Sequence, residues 1–287
     1  MKLNKTLLST LLLSFAIAGN VYAETAEEKF DRAVQYAEQQ NYQAAFPIFK
    51  EFAEQGYLSA QYILGLMFSN GDGVRQDYHQ AFKWFQKAAE QGDAQAQFTL
   101  GTMYELGKGV NPDHHQAVKW YQKAAEQGYA EAQSRLGSMY EKGRGVHQDY
   151  HQAVKWLQKA AEQGDAKAQY NLGVMYSDGR GVRQNYTQAI KLYQKAAEQG
   201  DADAQFNLGY MYYNGKGVSQ DYFQAVQWYQ KAAEQGGVKA QIMLGVMYAL
   251  GQGVSQNNDT AKMWFGKACD NGNQDACDTY RKLNRGK

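Results

Sequence analysis

Glycine returns every 36 residues in this chain, at Gly65, Gly101, Gly137, Gly173, Gly209 and Gly245, and a second series runs Gly73, Gly109, Gly145, Gly181, Gly217 and Gly253. Alanine keeps the same step at Ala81, Ala117, Ala153, Ala189, Ala225 and Ala261. The segment KAAEQG recurs at 87–92, 123–128, 159–164, 195–200 and 231–236. A period of this length means one supersecondary unit copied in tandem, and no copy can bury its apolar face alone. The usual inference from 287 residues, one or two globular domains, therefore does not apply.

Within a unit the apolar spacing is helical. In residues 94–129, Ala96, Gln97, Leu100, Gly101, Met103 and Tyr104 fall on one face at steps of three and four. Gly107 predicts the end of that helix, since glycine enters the left-handed region that closes a helix without a Cβ penalty. Gly109 and Pro112 then carry a short loop, and Asp113 is placed to cap a second helix. Its buried stripe reads Ala117, Trp120, Tyr121, Ala124 and Ala125, and Gly128 ends it. The small residues Gly101 and Ala117 mark where the paired helices approach most closely. Six such units cover 58–273. Residues 24–57 read as an N-terminal capping pair, with a first helix from Ala26 to Gln39 and a second matched by Ala45, Phe49 and Gly56. Residues 274–287 read as a closing helix and tail, whose Arg281, Lys282 and Arg285 suit the polar outer face of a terminal cap. The expected fold class is all-α, a right-handed superhelical solenoid of antiparallel helix pairs.

At the N-terminus, residues 1–23 have the form of an export signal. Lys2 and Lys5 precede an apolar stretch from Leu7 to Ala18, and Val21-Tyr22-Ala23 presents small residues where a signal peptidase reads. About a dozen apolar residues fall short of the roughly 20 that span a bilayer. Periplasmic or secreted residence in a Gram-negative-type envelope is expected, with no stable membrane insertion after cleavage. Two of the 30 Lys+Arg and none of the 29 Asp+Glu lie in that segment, so the remainder carries a formal charge of −1. Nucleic acid is a poor partner for such a balance, because phosphate binding rests on a basic excess.

The unit A-x-A-Q-x-x-L-G-x-M-Y-x-x-G-x-G-V, followed by D-Y-x-Q-A-x-x-W-Y-x-K-A-A-E-Q-G, resembles the Sel-like repeat, a relative of the tetratricopeptide repeat with a longer inter-helix loop. Departures are local: Leu192 replaces the tryptophan in one unit, and Asn258 replaces the aromatic that opens the last second helix. The resemblance implies an interaction scaffold or adaptor, with partners that differ from member to member. Cysteine-rich members of the family, with a disulfide in most repeats, have been linked to penicillin binding and β-lactamase activity. Their cysteine spacing matches the single pair here, Cys269 and Cys277, but the chain contains neither Ser-x-x-Lys nor Lys-Thr-Gly.

Few residues point to chemistry. The Gly-x-Gly loops follow helices, not strands, which makes them helix stops and not phosphate cradles. His79, His115 and His151 hold one register position, too far apart to share a metal at bond lengths of about 2 Å. With His114 and His147 they read as surface residues. The tryptophans at 84, 120, 156, 228 and 264 read as core, and the glutamines at 61, 97, 133, 169, 205 and 241 as buried amides in a repeated inter-helix bond. Cys269 and Cys277 take the places of Ala233 and Gln241 one unit later. In an oxidising compartment that pair reads as a disulfide pinning the closing helix, with a gain of roughly 2–3 kcal/mol. Two metal ligands would need further donors, and the final stretch has no histidine. No cofactor, metal or catalytic residue is expected.

Specificity must then sit where the units differ. The second, fifth, ninth and twelfth residues of each first helix form their own stripe opposite the constant one. By resemblance to tetratricopeptide arrays this stripe lines a concave groove. It comprises Tyr62 and Leu66, then Phe98 and Glu105, Glu141, Tyr170 and Val174, Phe206, Tyr210 and Tyr213, and Val246. The fifth residue could instead pack partly into the core, at Phe98 and Phe206 in particular. The expected function is a monomeric, non-catalytic scaffold that holds a protein or peptide in that groove. The competing expectations are a host-facing or envelope factor that binds a glycan, peptidoglycan or an immune protein, and a hydrolase of the β-lactam type.

Overall fold

The computed structural model describes residues 24–285, so the export signal expected over 1–23 lies outside it. The described residues form 15 helices and no strand, as the all-α expectation requires. They divide into two compact units. The first holds residues 24–139 and 143–147, and contains α1 (Ala26–Glu38), α2 (Tyr42–Glu54), α3 (Leu58–Asn70), α4 (Tyr78–Glu90), α5 (Ala94–Leu106), α6 (His114–Glu126) and most of α7 (Ala130–Lys142). The second holds residues 140–142 and 148–285. It contains α8 (Tyr150–Glu162), α9 (Ala166–Asp178), α10 (Tyr186–Glu198), α11 (Ala202–Asn214), α12 (Tyr222–Glu234), α13 (Val238–Leu250), α14 (Asn258–Asp270) and α15 (Gln274–Arg285). Among the described residues no helix is long and apolar enough to cross a membrane.

Caps set the boundaries. Asp93 Oδ1 accepts from the Ala96 amide to open α5, and Asp113 Oδ1 accepts from Gln116 at 3.0 Å to open α6. Gly107 closes α5 in the left-handed region, and the loop then turns back so that the Asp113 amide donates to Tyr104 O at 2.9 Å. The cap of the second helix is thereby bonded to the end of the first. Gly109, in the same loop, also has positive φ, and a β-carbon there would collide with the Tyr78 carbonyl at the start of α4. The loop of one repeat thus rests on the backbone of the repeat before it. The N-terminal pair lacks this loop. There Gln40 takes φ 60° and Asn41 caps α2, while Phe30 packs edge-on against Phe49 and Phe52.

In the first unit, Ala33, Phe49, Ile63, Leu64 and Met67 are buried together, and Phe85, Ala88, Leu100 and Met103 form the neighbouring cluster. In the second unit Leu157, Leu172 and Met175 pack together, as do Tyr193 with Leu208, and Tyr229 with Leu244 and Met247. The second-helix stripe differs from expectation at one position. Val118 is buried, whereas Trp120 is only partly covered by protein and carries the Lys123 ammonium 4.1 Å from its ring centre. Trp84 and Trp228 are arranged alike with Lys87 and Lys231, while Trp156 and Trp264 are buried. An indole that is wide and flat can seal a helix face and still leave one side to a lysine stem.

The glutamines make the expected inter-helix bond. Gln97 Nε2 donates to Ala89 O at 3.1 Å, and Gln61, Gln133, Gln169, Gln205 and Gln241 donate likewise to Ala53, Ala125, Ala161, Ala197 and Ala233. A second amide completes the joint. Gln127 Nε2 donates to Gln97 Oε1 at 2.8 Å and to Gly92 O at 3.0 Å, and Gln91, Gln199 and Gln235 repeat the pattern. The buried amides of Gln61, Gln97, Gln169 and Gln205 are therefore used on both their donor and their acceptor sides. At the Ala233/Gln241 joint Asn271 supplies the second amide, to Gln241 Oε1 at 3.1 Å, and at the final joint the Ala/Gln pair becomes Cys269 and Cys277, which are bonded to each other.

Candidate interaction surface

The constant side chains are consumed by these joints, which leaves the variable stripe of the first helices for recognition. Its floor comes from the second helices. In the first unit the Tyr121 ring is fully buried against Gly101, where a β-carbon would lie 2.7 Å from Tyr121 Cδ1. The missing side chain lets the ring pass under α5, and its hydroxyl reaches two stripe residues. It lies 2.7 Å from Glu105 Oε2 and 3.1 Å from Thr102 Oγ1. Arg135 Nη1 stands 3.9 Å from the other Glu105 oxygen. Burial drives the Tyr121 hydroxyl above the ordinary phenol range, and the Glu105 charge adds to the rise. Phe98 is half-buried, between Tyr121 at 5.6 Å and Tyr129 at 5.3 Å. The Tyr129 phenol, in turn, is pushed up to about 12 by burial and by Glu131 and Asp93.

Tyr62 and Leu66 depart from the groove assignment. They are 3% and 2% exposed and belong to the core cluster with Phe85 and Leu100. The cause is local. Phe85 fills the space below Gly65, Tyr62 closes over its ring at 5.4 Å, and the Tyr62 hydroxyl is taken by Thr99 of the next repeat. Large apolar residues at both stripe positions complete the core there.

In the second unit the stripe is more open. Tyr170 is half-buried, 6.0 Å from Tyr193, and Phe206 lies 5.5 Å from Tyr229; Val174 and Val246 are also half-buried. Tyr210 is 41% exposed. Tyr213 packs at 5.2 Å from Tyr222 and its hydroxyl bonds Gln252 Oε1 at 3.1 Å. Glu141 is paired with Arg180 at 3.1 Å, and Arg180 also holds Asp178 at 3.0 Å. The fifth residue does pack partly inward at Phe98 and Phe206, and Tyr210 is the stripe aromatic most open to solvent.

Two sets of residues at this surface escaped the sequence reading. One is the tyrosine hydroxyls of the second helices, and the other is the middle residue of three Gly-x-Gly loops, Arg180, Lys216 and Gln252, which reaches the stripe at Glu141, Tyr210 and Tyr213. A signal for both existed. The register position of Tyr121 reads Phe85, Tyr121, Leu157, Tyr193, Tyr229 and Phe265, so a hydroxyl comes and goes at a buried position in otherwise constant surroundings. The loop residue reads Asp72, Lys108, Arg144, Arg180, Lys216 and Gln252, changing charge inside a constant loop. All five histidines are exposed, and no group of three or more His, Cys, Asp or Glu that could hold a metal occurs among the described residues.

Paired helices, constant amide joints and a variable open face define a helical-repeat protein of the tetratricopeptide-like class. Comparison makes this specific. The Sel1 repeat matches residues 58–93, 94–129, 130–165, 166–201, 202–237 and 238–273, and the chain belongs to the Sel1-repeat family. Among solved structures it is similar to a protective antigen present in uropathogenic Escherichia coli strains, at 36% identity and a TM-score of 0.83, over 89% of this chain and 56% of that one. The chain thus spans little more than half the length of that antigen. It is also similar to a Sel1 repeat protein from Oxalobacter formigenes, at 34% identity and a TM-score of 0.74, over 84% of this chain and 96% of the other. PilF of Pseudomonas aeruginosa shares the fold at 19% identity and a TM-score of 0.56, over 82% of this chain and 99% of that one. No curated protein matches the chain. Sel1-repeat solenoids generally serve as protein–protein interaction scaffolds and are typically non-catalytic.

Proposed function

We propose that this protein is exported to the periplasm or beyond, and there captures a segment of another protein along the variable stripe of its first helices, in a concave groove. One observation carries the reading. The constant positions are spent on joints between repeats, while the stripe of the second unit keeps Tyr210 exposed beside half-buried Phe206, Tyr213 and Val246. Rigid aromatic side chains at an open face bury area at low entropic cost, which suits a peptide or protein ligand. The signal-like segment over residues 1–23 supports export.

The test is affinity capture from envelope extract and from host fluids, followed by binding of the purified partner to Tyr210→Ala and to Tyr210→Ala/Tyr213→Ala. Both variants should lose affinity at unchanged helicity. Undiminished binding by the double variant would remove the stripe of the second unit from consideration. A second reading, a host-facing factor that binds a glycan, peptidoglycan or an immune protein, draws support from the likeness to a protective antigen of uropathogenic strains. Capture from host fluids but not from envelope extract would favour it.

A further inference from the structure

Tyr229 is the one fully buried tyrosine of its register whose hydroxyl is unpartnered among the described residues. Its equivalents differ. The Tyr121 hydroxyl is bonded to Glu105 and Thr102, and that of Tyr193 is met by Asn207 and Ser177. Around Tyr229 the corresponding positions hold Tyr210 and Tyr213 of the stripe and Met243 of the next first helix. The first two are turned elsewhere: Tyr210 receives the Lys216 ammonium at 3.4 Å, and Tyr213 bonds Gln252. A buried hydroxyl without a partner is unfavourable. Nothing in the fold demands it, since Phe85 and Phe265 fill the same register position.

The first unit shows what such a hydroxyl holds when it is satisfied. There a carboxylate, Glu105, accepts from the tyrosine on one side and faces a cation, Arg135, on the other. The second unit presents the same donor and a cation of its own. Lys216 Nζ lies 5.1 Å from the Tyr210 ring centre, on a loop beside the stripe. What it lacks is the carboxylate.

We infer that the Tyr229 site receives an aspartate or glutamate side chain from a bound peptide segment. The carboxylate takes the place that Glu105 occupies in its own repeat, accepting from the Tyr229 hydroxyl and pairing with Lys216. Phe206 and Tyr210 meet an apolar residue next to it. Entry requires Tyr210 to swing aside, and this ring is 41% exposed and tethered at its hydroxyl only by the long contact to Lys216. This inference rests on the stripe being the binding face, and adds the chemistry of what it selects.

The experiment is selection of a displayed random hexapeptide library on the intact protein, on Tyr229→Phe and on Lys216→Gln, with thermal unfolding of each. The expected result is an acidic residue beside an apolar one in peptides selected by the wild type, and loss of the acidic preference on both variants. The best peptide, synthesised, should bind Tyr229→Phe about five-fold more weakly, the size of one hydrogen bond, and its Glu→Gln or Asp→Asn form should lose binding to the wild type to at least the same extent. Selection of no peptide, of peptides without an acidic position, or of the same acidic motif by Tyr229→Phe would overturn the inference. Those outcomes leave the scaffold reading intact if Tyr210→Ala still abolishes partner capture. An acidic motif that depends on Tyr229 while capture survives Tyr210→Ala/Tyr213→Ala would uphold the site and place the captured partner elsewhere.

Discussion

The ring of Tyr121 occupies the space that a β-carbon on Gly101 would need. The same relationship holds between Gly173 and Tyr193 and between Gly209 and Tyr229. A residue with no side chain in the first helix thus admits a buried tyrosine ring of the second, and carries its hydroxyl through to the variable face.

Gly101→Ala should therefore destabilise the first unit. The added methyl meets a fully buried ring and a nearby carbonyl, Ala117 O at 3.2 Å, so neither side yields easily. A loss of roughly 1–3 kcal/mol is expected, read as a lower urea midpoint. In the background of Tyr121→Ala the same change should cost much less, because the obstructing ring is gone.

Gln97→Ala removes a buried amide that donates to Ala89 O and accepts from Gln127. It takes one buried bond from Ala89 O, which keeps the Gly92 amide, and one from Gln127 Nε2, which keeps the Gly92 carbonyl, so two net hydrogen bonds are lost at a joint, at a cost of roughly 1–3 kcal/mol. Gln122→Ala, which breaks only an exposed bond to Glu126, should fall within about 0.5 kcal/mol of wild type. Equal effects of the two substitutions in thermal unfolding would contradict the joint described above.

Cys269→Ala/Cys277→Gln restores the pair found at every earlier joint. Loss of a disulfide closing so short a loop should cost roughly 2–3 kcal/mol. The new glutamine recovers a hydrogen bond of about 1 kcal/mol. The double variant should accordingly unfold between the oxidised wild type and Cys269→Ser/Cys277→Ser, with α15 the first helix to lose amide protection in all three.

Alkaline titration should show two classes of tyrosine. Burial raises Tyr62, Tyr121, Tyr193 and Tyr229 above the usual phenol range, and brings Tyr129 to about 12. For a phenol raised in the folded state, the stabilising contribution is complete below about pH 10 and disappears as pH climbs through the folded value. Ultraviolet difference absorbance should thus rise first for the exposed phenols. The late class should ionise together with the loss of helical circular dichroism. Simple titration of all tyrosines near pH 10 with the fold intact would refute the buried placement.

Much of this architecture was legible because repetition exposes register. Gly107, Asp113 and the Ala/Gln pairs could be read from one unit and checked against five others, and the Cys/Cys substitution followed from its register alone. The interaction surface was read less well. Variability marks the stripe but does not say which variable residues face solvent, and Tyr62 and Leu66 are covered because Phe85 and Thr99 happen to complement them. The role of the Tyr121 hydroxyl was hidden for a different reason. Its ring belongs to the constant core while its last atom belongs to the variable face, a division that a residue-level pattern cannot express.

The amide joints have a consequence for inheritance. The contacts named here link residues at most 39 positions apart, and each joint draws on one repeat and its neighbour. An in-frame duplication or deletion of one whole unit would recreate every joint from the same residues, whereas a break out of phase would separate a glutamine from its carbonyl. Descendants of such a gene can change how many recognition positions they carry without re-evolving a core, and lineages should differ by whole repeats more readily than by fractions of one.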